Sequence, residues 1–115
     1  MAWTTSKTNW SYTYIDGNYS GDFFDYHDYN RIKNNLLYLA NKFSISVSVL
    51  SSEDKGAADI MYNDEWNAVE DAVYRMDQKK GNKDFVKKTY YANGLFPDAN
   101  ELNKVENKML ELYNL

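Results

Sequence analysis

Tyr29-Asn30-Arg31-Ile32-Lys33-Asn34-Asn35-Leu36-Leu37-Tyr38-Leu39 decides the reading of this chain, because its pattern returns twice. The second copy is Trp66-Asn67-Ala68-Val69-Glu70-Asp71-Ala72-Val73-Tyr74-Arg75-Met76. The third is Leu102-Asn103-Lys104-Val105-Glu106-Asn107-Lys108-Met109-Leu110-Glu111-Leu112. Aligned without gaps, each reads large apolar, Asn, any residue, Ile or Val, charged, Asn or Asp, then further apolar positions. The equivalent residues Asn30, Asn67 and Asn103 stand 37 and 36 apart. A near-constant step of this size reads as an internal repeat, with coincidence among similar amphipathic helices as the alternative.

The spacing identifies the repeated unit. Tyr29, Ile32, Leu36 and Leu39 fall in 3-4-3 steps, as do Trp66, Val69, Val73 and Met76, and Leu102, Val105, Met109 and Leu112. Such spacing puts four side chains on one stripe of an α-helix. Arg31, Asn34, Glu70, Asp71, Lys104 and Lys108 read as the solvated opposite faces. Asp25 and Asp98 each stand five residues before the Asn, as N-caps would; Asp98 to Glu101 has capping-box spacing. Asn63 or Asp64 can serve the second helix. The expected spans are about 26–43, 63–79 and 98–114. A single stripe cannot bury itself, so three stripes meet in one core. The fold class expected is mainly α, a small three-helix bundle with minor β strands in the connections.

The connections, about 19 residues each, exceed the usual length in bundles and need structure of their own. Ser44 to Leu50 alternates, with Ile45, Val47 and Val49 on one face, and reads as a short strand. Trp10 to Ile15 alternates and runs into Asp16-Gly17, a hairpin dipeptide. Phe85 to Tyr91 fits a third strand or an ordered loop. Ser51 to Ala58 is polar and reads as a mobile linker.

Composition agrees with a folded, polar domain. Leu, Ile, Val and Phe number 24 of 115 residues, a low share. Nineteen aromatic residues compensate, since each large ring buries on the order of 150–250 Å². One domain, 1–115, is expected, with 1–25 as an aromatic-rich arm or hairpin. The absence of Cys excludes disulfides and thiol chemistry, and one His excludes a multi-histidine metal site. A net charge of -4 argues against a dedicated nucleic-acid partner, and no apolar run suits a membrane.

Four clusters invite chemistry. Asp25-Tyr26-His27-Asp28 reads as an acidic helix start. Asp16 to Asp22 matches the opening of a calcium loop, but His27 stands where the bidentate Glu belongs, so it reads as a polar turn. Lys79, Lys80, Lys83, Lys87 and Lys88, interleaved with Phe85, Tyr90 and Tyr91, have the makeup of a single-strand binder. Asp77 and Asp84 dilute that charge, which reads as a solvated surface. Trp3, Trp10, Tyr12, Tyr14, Tyr19, Phe23, Phe24 and Tyr26 crowd the first 26 residues and read equally as a candidate interface or as a cover for one end of the bundle. No catalytic residue, cofactor site or metal site is assigned.

Trp3-Thr4-Thr5-Ser6-Lys7-Thr8-Asn9-Trp10, followed by Gly21-Asp22-Phe23-Phe24-Asp25-Tyr26-His27-Asp28-Tyr29-Asn30-Arg31-Ile32-Lys33-Asn34-Asn35-Leu36, resembles the opening of phage and prophage tail proteins from Firmicutes. There a W-x-x-P-K-T-x-W start precedes an aromatic D-Y/L-N-R-I-E/K-x-N helix. Ser6 stands where that pattern has Pro, and Lys33 where Glu is commoner. The resemblance covers about a third of the chain. It implies a virion structural role in the tail tip, baseplate or fibre region, with other tail proteins as partners and a homo-oligomer in prospect, assembled in the bacterial cytoplasm. Because that segment often heads longer chains, a small connector is the expectation here. The alternatives are a small phage-encoded inhibitor or adaptor of a host protein, and a carbohydrate-binding module using exposed rings.

Overall fold

In a computed structural model, the described residues are 3–16, 18–47, 53–57, 63–91 and 97–115. A hairpin of β1 (Tyr12–Ile15) and β2 (Asn18–Gly21) precedes three helices, α1 (Tyr26–Phe43), α2 (Asn63–Lys80) and α3 (Ala99–Tyr113). The helix bounds lie within one residue of those read from the periodicity.

Local chemistry sets the helix ends. Asp25 caps α1, accepting from the N–H groups of His27 and Asp28, while Asp28 returns a carboxylate to the Asp25 N–H at 3.1 Å. The pair forms a full capping box, with Asp28 where Glu or Gln is usual. Asp98 caps α3 by accepting from the Glu101 N–H at 2.8 Å. At the other end of α1, Ser44 takes a left-handed conformation (φ 56°, ψ 42°) and donates to the Ala40 and Asn41 carbonyls. Asp16 forms the hairpin turn with φ 51°, and register pairs Tyr12 with Gly21 and Ile15 with Asn18. Gly21 closes β2 at φ 106°, where a Cβ would strike the Ser11 carbonyl.

The three helices pack against one another, and all twelve residues of the three stripes are buried in the shared core. Trp10, Ala40, Ile45, Val47, Ala72, Phe85 and Tyr90 complete it. Glu70 and Lys108, expected on solvated faces, are also buried.

One connection differs from expectation, and another takes one of the two forms expected of it. Ser44 to Val47 forms no strand, although Ile45 and Val47 are buried between the exposed Ser44 and Ser46; residues 48–50 lie outside the described residues. Phe85 to Tyr91 is an ordered loop whose backbone bonds to helix side chains. In the first, alternating burial comes from lying along a helical core, which gives the same period as a sheet face; in the second, Phe85 and Tyr90 are buried and the residues between them are exposed.

Candidate functional site

The repeated asparagines do one job three times. Asn30 on α1 donates from Nδ2 to the Lys55 carbonyl (2.8 Å) and accepts the Lys55 N–H at Oδ1 (2.8 Å). Asn67 on α2 does the same to Tyr90, at 2.8 and 2.7 Å. Asn103 on α3 does it to Trp10, at 2.9 and 2.6 Å. Each carboxamide thus replaces the two hydrogen bonds that a neighbouring strand would give one extended residue.

The clamps follow a cycle. Helix α1 holds the segment that leads toward α2, and α2 holds the segment that leads into α3. Helix α3 holds the N-terminal arm that leads into the hairpin and α1. Three arm-and-helix units therefore close on one another. Position three after each Asn reinforces its clamp. Glu70 accepts the Lys88 N–H (3.1 Å), and Glu106 accepts the Lys7 N–H (3.0 Å). Lys33, at the same position, reverses polarity and donates to the Glu53 carbonyl (2.8 Å) and to Asp54 (2.7 Å).

The arm is held at further points. Asn35 on α1 clamps Thr4 in the same two-bond manner, at 2.9 and 2.8 Å. Glu106, 1% exposed, receives the Trp10 indole N–H at 2.5 Å and Arg31 through Nη2 (2.7 Å) and Nε (3.3 Å). Arg31 also reaches Asp28 at 2.8 Å. The Trp3 ring stacks on Tyr113 with centroids 4.3 Å apart and meets Tyr38 edge-on at 5.9 Å.

This geometry revises the candidate interface. Trp10 is buried, Trp3, Tyr12 and Phe24 are half-buried against the core, and the Tyr12 hydroxyl donates to the Pro97 carbonyl. Phe24 packs on Trp10 and Trp66. Tyr26 is half-buried, with its ring 3.9 Å from that of His27. The side chains of Tyr14 and Tyr19 lie outside the described residues. Phe23, at 72%, is the ring of this group that stands well exposed. The described rings of this segment thus lie mostly on their own bundle, the second of the two readings of the aromatic arm.

The other clusters have structural employment too. His27 flanks the cap, with Nδ1 3.5 Å from Asp25. Asp22 accepts from the Ser11 N–H (3.0 Å) and pairs with Lys7 (3.4 Å). Lys87 pairs with Asp71 (3.0 Å) and covers the Tyr74 ring, while Lys88 covers Tyr90. Phe85 and Tyr90 are buried, so their faces are closed to a stacking base. Among the described residues no group of three or more His, Asp or Glu could hold a metal ion, and no helix is long and apolar enough to cross a membrane.

Two buried carboxylates have displaced pKa values. Burial pushes Glu70 up to about 8, helped by a hydrogen bond with the Glu101 carboxyl; the Lys88 N–H opposes this. Burial also pulls Asp77 upward, but the Phe85 N–H, the nearby Lys108 ammonium and the Lys83 N–H outweigh it and hold the carboxyl below its usual range. Lys108 sits 3.4 Å from Asp77 and also pairs with Asp84 and Glu111.

Sequence spacing singled out the asparagines, but not Asn35, Lys33, Asp77 or Glu106 as holders of chain. Their only shared signal was a polar residue adjoining the apolar stripe. Against protein-family models, curated proteins and solved structures, the chain shows no significant match in any of the three comparisons.

Proposed function

We propose that the chain is a non-enzymatic structural protein of a phage or prophage tail, in its tip, baseplate or fibre region, acting through protein–protein contacts. The observation that carries this reading is a coincidence of two residue sets. The positions that resemble the tail-protein opening are largely those that build the arm-and-helix unit. Trp3 stacks on α3, Lys7 and Trp10 bond to Glu106, Asn30 clamps Lys55, and Arg31 joins Asp28 to Glu106. A motif with this role specifies an arm-to-helix docking module, which suits an assembly component. Phe23, Val86 and Tyr91, each more than 70% exposed, offer apolar contact surface beyond it.

Mass spectrometry of purified particles from a producing host tests the proposal. The chain is expected at a fixed stoichiometry to other tail proteins. Its absence from particles, with capture of one host protein in a pull-down, would replace this reading with that of an inhibitor or adaptor.

A further inference from the structure

We propose that the groove between α1 and α3 also accepts the arm of a second copy, so that the chain associates by exchanging residues 3–22. The inference goes beyond the tail assignment, because it holds or fails with the purified protein alone.

The three clamps are alike in bonding and unlike in connectivity. Lys55 and Tyr90 lie 25 and 23 residues after the asparagines that hold them, in the connections leaving those same helices. Trp10 lies 93 residues before Asn103. The chain keeps the first two segments beside their helices, whereas the arm reaches α3 only through noncovalent contacts.

Those contacts form a separable set. On the arm side they include the backbones of Thr4, Lys7 and Trp10, the Trp10 indole, the Tyr12 hydroxyl and the Trp3 ring. Facing them are Asn35, Tyr38, Pro97, Asn103, Glu106 and Tyr113, with Phe24 against Trp10. The arm and hairpin also close on themselves, because Asp22 donates its N–H to Ser11 O (2.9 Å) and accepts the Ser11 N–H. Asp25 is bonded forward into α1. Phe23 and Phe24 join the hairpin to α1 and form the hinge of the exchange; Phe24 packs on Trp66 of its own α2, and its contact with Trp10 is one of those remade with a partner's arm.

If the hinge opens, every groove contact is remade with a partner's arm. Exchange of an identical element is a low-cost route to association, set against closure within one chain by concentration alone. The resulting contact is arm to groove, which generates rings or chains of copies as well as pairs.

Two full-length variants test this. Trp10→Ala has a damaged arm and an intact groove; the double variant Asn35→Ala with Asn103→Ala has an intact arm and a damaged groove. Alone, each is expected to scatter light as a monomer of 13.5 kDa. An equimolar mixture is expected to give a species of twice that mass, because one intact arm then meets one intact groove. A mixture that stays monomeric, with helical circular dichroism retained in both variants, overturns the proposal. Should either variant lose its helical signal, unlabelled and 15N-labelled wild-type chains refolded together at about millimolar concentration decide the matter. Mixed-mass oligomers in native mass spectrometry support exchange, and monomers alone refute it.

Discussion

A carboxamide presents one donor and one acceptor side by side, as the backbone of an extended residue does, so one Asn can satisfy both groups of a lone segment. This explains why Asn recurs at positions 30, 67 and 103 while its partners, Lys55, Tyr90 and Trp10, share no single residue type. The clamp reads backbone, so the clamped residue leaves no trace in the sequence, while the clamping residue leaves a clear one. Asn103→Ala should cost on the order of 2–4 kcal/mol in urea unfolding, since it strands both backbone groups of the buried Trp10. Asn67→Ala should cost less, because the Tyr90 carbonyl retains the Asn63 carboxamide at 3.3 Å. Glu70 gives a prediction of another kind. Its folded pKa, about 8, lies above the unfolded value of 4.5, so the unfolded chain releases this proton first. Its contribution is fully present below about pH 4.5 and is lost as pH rises to about 8. Urea unfolding of Glu70→Gln across that window should show a flatter pH dependence than wild type; an unchanged slope would contradict the raised pKa of Glu70. Asp77 acts in the opposite sense, its contribution being lost as pH falls through its lowered pKa.

At the scale of elements, the helices were legible because period, stripe and cap agree. Asp25 and Asp98 were visible as caps and act as caps. Asp25→Ala should cost about 1 kcal/mol, by loss of the bonds to the His27 and Asp28 N–H groups. Thermal unfolding followed at a helical wavelength measures it. The connections were less legible, and the reason is physical. Alternating burial identifies an extended segment but not the partner of its backbone. Phe85 to Tyr90 bonds to Asp77, Glu70 and Asn67, successive side chains of one helix face, where a strand would have bonded to another strand. Long connections thus gain order from α2 without forming a sheet.

In the whole molecule, the marginal supply of aliphatic residues is met by rings and by buried polar groups with assigned backbone partners. Lys33, Asn35, Glu70, Asp77 and Glu106 are each at most 1% exposed, and each bonds to a backbone N–H or carbonyl of a connecting segment. Glu106 is the hub, joining α3 to α1 through Arg31 and to the arm through Lys7 and Trp10. Glu106→Ala should cost about 3–5 kcal/mol in urea unfolding, more than any single Asn, because it leaves the Arg31 charge without its buried partner. The central claim is that three equivalent clamps, taken in cyclic order, tie three arm-and-helix units into one fold. Residue-resolved amide hydrogen exchange in Asn30→Ala, Asn67→Ala and Asn103→Ala tests it most directly. Each substitution is predicted to speed exchange at its own partner, Lys55, Tyr90 or Trp10 respectively, while the other two amides stay slow. Equal loss of protection at all three amides in every variant, or no change at the partner amide, would contradict it.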